Sequence, residues 1–293
     1  MTIAAGFKFD GGIFLCADSQ FSYGGVSKAR GNKLLSMKCA RLPIKLGCAI
    51  AGDVPRARTA IRKIFMAIDS LPAGSEARDV FTAIEEAVSI AYKPVFVHPL
   101  YRNGDPDYSV LMCLWMEGVG STLLITHEDN VNEVQQYDCK GSGEYLFRYL
   151  IQDMYDADMA LESLVTLVTF ALQEIKTYDP NVGFNSEFLA FFNDKKTFSR
   201  IAGYDVGHLE NFGSLTKREF FRYMFVMADL KKTKKEMSTA RQSFQDNLTN
   251  LRNRYLEDKT NRQTIGRLME YLKTAKKPKI TIQIPLKQSA SQK

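Results

Sequence analysis

The sequence predicts an α+β fold with a layered αββα arrangement, followed by a basic helical extension. Two observations lead to this prediction. Strand-like and helical segments come in blocks (strands, two helices, strands, two helices, strands) rather than as an alternating βαβ repeat. In addition, the composition changes near Ser214, where a mixed pattern gives way to a helical and basic one.

The first block of strands begins with a hairpin. Apolar runs at 3–9 and 12–18 flank Asp10-Gly11, a dipeptide that favours a tight turn between paired strands. The second run is almost wholly apolar, which is typical of a strand covered on both faces. Residues 19–32 are polar and rich in glycine, so we expect a loop there. Two further strands are expected at 33–37 and 45–51.

A helix is expected directly after Gly52. Asp53 is a suitable N-cap, and Pro55 fits the first turn, where a backbone N–H has no partner within the helix. Apolar residues then recur at helical spacing over 57–68. Similar patterns predict the remaining elements: a helix at 76–92, strands at 108–116, 121–127 and 134–139, helices at 145–154 and 158–177, and strands at 187–192 and 197–203.

The net charge of +6 hides an uneven distribution. Residues 214–293 contain 19 basic and 7 acidic residues, a net charge of +12, whereas residues 1–213 carry a net charge of −6. We therefore divide the chain into a domain at 1–212 and an extension at 213–293. Within the extension, the apolar spacing predicts a helical hairpin or short coiled coil, residues 280–284 alternate as a short strand would, and residues 287–293 are expected to be disordered.

The extension contains a dense basic run, Lys231-Lys232-Thr233-Lys234-Lys235. Such a run is suited to nucleic acid or to an acidic partner. The interpretation that we favour over nucleic-acid binding is a solvated helix face or an arm that packs between subunits. The Phe and Met residues at 220–227 are too apolar for a free helix, so we expect them to dock on the core or on a neighbouring subunit.

The composition excludes several classes of protein. Hydrophobic residues make up 45% and charged residues 25% of the 293 residues, as in globular proteins with a sizeable core. No apolar run approaches the roughly 20 residues of a membrane span, so no membrane partner is expected. The five cysteines and three histidines lack metal-ligand spacing, and the sequence has no phosphate-binding glycine loop. We therefore expect a cytoplasmic protein with reduced cysteines and without a metal or other cofactor.

Thr2 is the first candidate for chemistry. Removal of Met1 would leave Thr2 with a free α-amino group, whose pKa of about 7.7–8.0 keeps much of it unprotonated near neutral pH. Such an amine accepts the proton of the hydroxyl on its own residue, so that nucleophile and base reside on one amino acid. With Met1 attached, the same nitrogen is an amide without useful basicity.

Four segments occur in order along the chain: residues 2–19, Gly31-Asn32-Lys33-Leu34, Cys48-Ala49-Ile50-Ala51-Gly52 and Gly141-Ser142-Gly143. Together they resemble proteasome β subunits and their bacterial relatives, and the resemblance covers about 1–205. That family opens with Thr, a short strand, a tight turn, an apolar strand and then Asp-Ser or Asp-Gly, and Asp18 lies 16 positions after Thr2, as in the family. One residue is missing before Lys33 relative to a typical member, and we place this gap near Gly24-Gly25.

The resemblance implies a four-layer αββα sandwich of the N-terminal-nucleophile hydrolase type and assigns roles to several residues. Lys33 would lie near the Thr2 hydroxyl, where its ammonium favours a developing alkoxide. Asp18 would pair with Lys33 and fix its position. The backbone N–H of Gly52 would form the oxyanion hole, and Ser142 would hydrogen-bond the Thr2 amine and help to relay protons.

Two positions depart from the family pattern. Asp179 matches a family aspartate that follows the fourth helix, but Val182 stands where a hydroxyl is often found, which puts full activity in doubt. Asp53 follows Gly52 directly, and a carboxylate there opposes negative charge in the oxyanion hole unless its side chain caps the helix. By position, Phe21 and Ile50 would line the pocket beside the nucleophile, so we expect cleavage after hydrophobic residues.

The resemblance implies a threonine-type endopeptidase that acts on peptides or unfolded proteins inside a self-assembled homo-oligomeric ring. Degradation of folded proteins would then require a separate ATPase partner. Two alternatives stay open: an inactive proteasome-like scaffold subunit, and an amidohydrolase of the same superfamily that acts on a small amide. A first strand that begins at residue 3 favours the β type of subunit over the α type, which carries an extra helix before it.

Overall fold

The computed structural model describes residues 2–23, 27–97, 108–201, 203–229 and 231–257. Over these residues the chain forms twelve strands and six helices. In chain order they are β1 (Ile3–Phe9), β2 (Gly12–Asp18), β3 (Gln20–Tyr23), β4 (Ser27–Arg30), β5 (Leu34–Lys38), β6 (Ile44–Gly52), α1 (Val54–Ser70), α2 (Ala77–Val97), β7 (Tyr108–Met116), β8 (Gly120–His127), β9 (Asn130–Glu133), β10 (Tyr137–Gly141), α3 (Glu144–Ile151), α4 (Leu161–Tyr178), β11 (Ser186–Phe192), β12 (Thr197–Ile201), α5 (Gly203–Ala228) and α6 (Lys234–Glu257).

The first sheet contains the predicted hairpin. Strands β1 and β2 pair antiparallel around Asp10-Gly11, and Gly11 adopts a φ of 102°, which glycine tolerates without steric cost. β10 and β11 add on either side, and β12 completes the order β10-β1-β2-β11-β12. The beginning of β1, the end of β2 and the end of β10 therefore meet at one edge of this sheet.

The second sheet has the order β5-β6-β7-β8-β9, with antiparallel pairing throughout. Every residue of β7 is buried, which explains its continuous apolar sequence without alternation. Strand β6 is buried over most of its length and ends at Gly52, where Asp53 caps α1 by accepting a hydrogen bond from the Arg56 N–H at 3.1 Å.

Four layers stack in the following order: the helix pair α1 and α2, the second sheet, the first sheet, and the helix pair α3 and α4. Leu15, Ala17 and Phe191 of the first sheet pack between the sheets with Leu34 and Leu111 of the second. Separate clusters fill the spaces between each sheet and its own helix pair. The predicted αββα sandwich is confirmed, because each sheet buries one face on the other sheet and one face on helices.

Two predicted segments differ from the structure. The expected loop at 19–32 contains a small hairpin, in which β3 pairs with β4 and Phe21 packs against the cluster beneath α1 and α2. Of the expected strand at 134–139, only 137–139 lie in a strand, β10 of the first sheet, whereas the unpredicted β9 just before it belongs to the second sheet. These segments have only four or five residues each, and strands this short give too few positions for a periodic signal.

The C-terminal helices confirm the predicted helical character of the extension. Helix α5 begins at Gly203 and runs without a break to Ala228, so it crosses the predicted domain boundary between 212 and 213. The division of the chain at that position stays a prediction. Within the described ranges, no helix combines the length and apolarity needed to cross a membrane. The predicted strand at 280–284, the expected tail at 287–293, Met1, Gly24-Gly25 and His98 lie outside the described residues.

Candidate active site

Thr2, Asp18 and Lys33 form a buried cluster where β1, β2 and β5 meet. The Thr2 hydroxyl donates a hydrogen bond to Asp18 Oδ1, and the Lys33 ammonium donates to the Thr2 Oγ1. Lys33 Nζ also lies 2.7 Å from Asp18 Oδ1, and both side chains are fully buried. The three residues that were named from the sequence and its family resemblance are therefore in direct contact with one another.

The backbone around Asp18 holds its carboxylate in place. Oδ1 accepts the Ile3 N–H at 3.0 Å, and Oδ2 accepts the N–H groups of Gln20 and Gly183, each at 3.1 Å. A buried carboxylate needs such partners because desolvation of an unpaired charge is costly. Its position between Lys33 and three backbone donors leaves Asp18 little freedom to turn away from the Thr2 hydroxyl.

Lys33 lies directly before β5, and the Lys33 carbonyl accepts the Ile50 N–H at 3.1 Å. Burial lowers the pKa of Lys33 from the ordinary value, and the charge of Asp18 and its hydrogen bond act in the opposite direction. The ammonium also lies 5.6 Å from the centre of the Phe21 ring, a distance suited to a cation–π contact. Lys33 is thus a buried cation with one carboxylate, one hydroxyl and one ring around it.

Gly141 fixes the position of the Thr2 backbone. It pairs with Ile3 across β10 and β1 and has a φ of 123°, a conformation that residues with a Cβ rarely adopt. A Cβ built on Gly141 would lie 1.8 Å from the Thr2 carbonyl oxygen. The strand that carries Thr2 therefore approaches β10 more closely than any side chain would permit.

Ser142 and Asp179 form a second polar pair next to Gly141. The Ser142 hydroxyl donates to Asp179 Oδ2 at 2.5 Å, and Asp179 Oδ1 accepts the Asn181 N–H at 2.8 Å. Ser142 is exposed, and among the described residues its side chain is bonded to Asp179 rather than to the Asp18–Thr2–Lys33 cluster. Sequence reasoning had placed both residues at the site without predicting that they bind each other.

Val182, which occupies a position where the family often has a residue with a hydroxyl group, is an ordinary core residue. It is 2% exposed and belongs to the cluster between the first sheet and α3 and α4. A Cβ on the neighbouring Gly143 would lie 3.4 Å from a Val182 methyl carbon. The side chain of Val182 is therefore committed to packing and offers no polar group to the site.

Gly52 stands at the end of β6 with a φ of 82°, and it pairs with Tyr108 of β7. The Asp53 carboxylate next to it caps α1, and its Oδ2 lies 3.4 Å from the Arg56 guanidinium. The condition stated for Asp53 from the sequence is thus met, since its charge is bound by the helix N-terminus and by Arg56.

Phe21 and Ile50 both pack against the cluster beneath α1 and α2. Phe21 is half-buried, whereas the Ile50 side chain is fully buried in this chain. Gly31 faces the Phe21 ring so closely that a Cβ there would lie 2.1 Å from a ring carbon. Phe21 is therefore partly accessible to solvent, whereas Ile50 belongs to the core.

Sequence reasoning missed Gln20 and Gly183, which donate backbone N–H groups to Asp18. Almost any residue type can donate a backbone N–H, so the identity of Gln20 does not indicate this hydrogen bond. Gly183 carries a weak signal: a Cβ there would lie 2.4 Å from the Gln20 side-chain oxygen, so a larger residue would displace that side chain. Across the described part of the chain, no three His, Cys, Asp or Glu side chains converge as metal ligands would.

Two antiparallel sheets packed face to face between helix pairs, with a threonine hydroxyl at the start of β1 beside a buried lysine and aspartate, define the N-terminal-nucleophile hydrolase fold. A sequence model of proteasome subunits matches residues 2–189, and the chain belongs to the proteasome subunit family. A search among curated proteins finds no match.

Solved structures show the same fold. The Anbu (Gly-1) mutant from Hyphomicrobium sp. strain MC1 matches with a TM-score of 0.63 at 15% identity, covering 76% of this chain and 99% of that chain. Anbu, an ancestral β-subunit, from Yersinia bercovieri matches with a TM-score of 0.61 at 14% identity, covering 79% of this chain and 99% of that chain. A chain of the helical assembly of the Anbu complex from Pseudomonas aeruginosa matches with a TM-score of 0.61 at 14% identity, covering 79% of this chain and 97% of that chain.

Proposed function

We propose that this protein is a threonine-type endopeptidase in which Thr2, once freed from Met1, is the nucleophile. The observation that carries the proposal is the contact of the Thr2 hydroxyl with both the Lys33 ammonium and the Asp18 carboxylate. A neighbouring cation stabilises the alkoxide that forms during attack on a carbonyl carbon, and a buried environment strengthens that stabilisation.

Each remaining residue has a role in the proposed reaction. The free amine of Thr2 takes the hydroxyl proton and later passes it to the leaving amine. Asp18 keeps Lys33 charged and in place. The N–H of Gly52 binds the oxyanion, and the Ser142–Asp179 pair lies next to Gly141, close to where the new amine would be generated. Asp53 does not oppose the oxyanion, since its charge is bound at the start of α1.

The substrate that fits this proposal is a peptide or unfolded protein, cleaved after hydrophobic residues. The half-buried Phe21 ring, 5.6 Å from the Lys33 ammonium, supports that preference, whereas the Ile50 side chain is fully buried in this chain. We further propose a homo-oligomer, in keeping with the helical assembly reported for the Anbu complex from Pseudomonas aeruginosa. A ring geometry, a separate ATPase partner and a cytoplasmic location belong to the same proposal, the last being supported by five buried free thiols.

A scaffold subunit without activity is the second candidate, and two observations favour it. Val182 supplies no hydroxyl to the site, and Thr2 is only 1% exposed. If Met1 stays attached, the Thr2 nitrogen is an amide and the cluster is purely structural. An amidohydrolase acting on a small amide would use the same nucleophile and differ in substrate only.

Intact-mass measurement after incubation with an epoxyketone or a β-lactone tests the proposal. We expect a mass that lacks Met1 and carries one adduct, and no adduct on Thr2→Ala. Thr2→Ser is the matched control, because it keeps the hydroxyl and should still react. An unmodified mass that retains Met1 would instead identify the scaffold. Fluorogenic peptides ending in Leu, Tyr, Arg or Glu then separate substrates, and a preference for Arg or Glu would contradict the apolar pocket.

A further inference from the structure

Glu187 is a charged residue on the face of the first sheet that packs against the second sheet. It lies in β11 on the same face as Leu189 and Phe191, which pack between the two sheets. Its register partner in β2 is Ala17, the residue directly before Asp18. The side chain is half-buried, so its carboxylate incurs part of the desolvation cost of a buried charge and needs a partner.

That partner is Lys33. Glu187 Oε2 accepts the Lys33 backbone N–H in a long hydrogen bond of 3.4 Å, across 154 positions of sequence. Asp18 binds the ammonium end of the same residue, at 2.7 Å. Lys33 is therefore held at its backbone by one carboxylate and at its tip by the other.

The charge of Glu187 also acts on the Lys33 ammonium. Burial lowers the pKa of Lys33, and the charges of Asp18 and Glu187 both counter that effect. Two arginines on neighbouring elements bind the segment around Lys33: Arg58 of α1 donates to the Asn32 carbonyl at 2.8 Å, and Arg200 of β12 donates to Asn32 Oδ1 at 3.2 Å.

We propose that Glu187 is a positioning residue for Lys33, which anchors the lysine backbone and supplies a second negative charge that keeps the ammonium protonated beside Thr2. This inference deepens the proposed function and rests on it for its catalytic meaning. It assigns two carboxylates to one lysine, with Asp18 in direct contact with the reacting hydroxyl and Glu187 acting through Lys33 alone.

Glu187→Gln isolates the charge, because the amide oxygen still accepts the Lys33 N–H. We expect the fall in the rate of peptide hydrolysis at high pH to move to lower pH, because loss of a nearby negative charge lowers the pKa of Lys33. The titration of the Lys33 ε-carbon signal in protein carrying ¹³C-lysine should move by the same amount, with the signal assigned by its loss in Lys33→Arg.

Glu117→Gln is the control. It removes one carboxylate and thus changes the net charge equally, but Glu117 is an exposed partner of Lys196 after the far end of β7. If Glu187→Gln titrates like the wild type and like Glu117→Gln, the inference is wrong. The lysine titration also separates the two proposals: a wild type without adduct formation would refute the peptidase, whereas a shifted Lys33 titration would still support the Glu187 contact.

Discussion

Lys33 is a fully buried lysine whose ammonium contacts one carboxylate and one hydroxyl. Burial disfavours the charged form, so such a residue persists only where its environment supplies opposite charge. Asp18 supplies most of that charge, and it is itself held by three backbone N–H groups. A cation held in this way cannot reorient, which suits stabilisation of the alkoxide proposed to form on Thr2.

The lowered pKa of Lys33 leads to a prediction for the pH dependence of peptide hydrolysis. The rate should rise as the Thr2 amine loses its proton near pH 8. It should fall again as Lys33 loses its proton, and because burial lowers that pKa, the fall should come below 10.5, the ordinary value. The ratio kcat/KM across the pH range measures both limbs, with circular dichroism to verify that the protein stays folded. A rate that still increases above pH 10.5 would contradict the assigned role of Lys33.

Site residues whose roles depend on their own side-chain chemistry could be predicted from the sequence, and those whose roles depend on tertiary contacts could not. Thr2 was named because a freed α-amino group can activate its own hydroxyl, and Asp18 and Lys33 were named through the resemblance to proteasome β subunits. Glu187 was not found, since it resembles any outward-facing residue of a strand until β11 is placed beside β2. The bond between Ser142 and Asp179 was missed for the same reason, although both residues were named.

Strand β10 is the element that positions the proposed nucleophile. It pairs with β1 so that Gly141 lies opposite Ile3, and the positive φ of Gly141 brings the backbone of β10 against the Thr2 carbonyl. The hydroxyl of Thr2 is thus aimed by backbone contacts on one side and by Asp18 and Lys33 on the other.

Gly141→Ala should therefore abolish adduct formation at Thr2, since the new Cβ would overlap the Thr2 carbonyl oxygen. We also expect a loss of stability of about 1 to 3 kcal/mol from backbone strain at a positive φ. Intact mass after β-lactone treatment and urea unfolding measure the two effects. Gly120→Ala is the matched control: Gly120 also has a positive φ, of 101°, but open space around it. It should lose stability and keep its reactivity; equal reactivity of the two variants would refute the role of Gly141.

Elements with strong periodicity were predicted well and short pairing-dependent ones were not. The hairpin of β1 and β2 and the N-cap of α1 follow from local chemistry, Asp10-Gly11 in one case and Asp53 in the other. The hairpin of β3 and β4 was taken for a loop because its four-residue strands are stabilised by the packing of Phe21 and not by alternation.

At the scale of the whole molecule, α5 is bound to the sandwich by buried ion pairs. Glu210 of α5 lies 2.5 Å from Lys176 of α4 and accepts a hydrogen bond of 2.5 Å from Ser186, the register partner of Asp18 in β11. Further along, Lys217 pairs with the buried Glu174. These contacts lie on both sides of position 212, so α5 packs on the sandwich along a stretch that spans the composition change.

A chain that ends at 212 should accordingly be less stable than one that ends at 229. Loss of Lys217 leaves Glu174 without its partner, which costs about 1 to 3 kcal/mol. Urea unfolding of both truncated chains measures the difference, and Lys217→Met in the full chain separates the ion pair from the remaining contacts of α5. Identical midpoints for the two truncated chains would support the division at 212 and show that the second half of α5 adds nothing.

By itself, the sequence determined the order of the longer elements and the layered fold class, because local periodicity can be read along the chain, and the resemblance to proteasome β subunits indicated the residues of the proposed nucleophilic cluster. Only the tertiary structure decided that β9 and β10 belong to different sheets, that Glu187 holds the backbone of Lys33, and that α5 is anchored to α4 and β11. The physical reason is distance along the chain: these contacts join residues that are far apart in sequence and close only after packing.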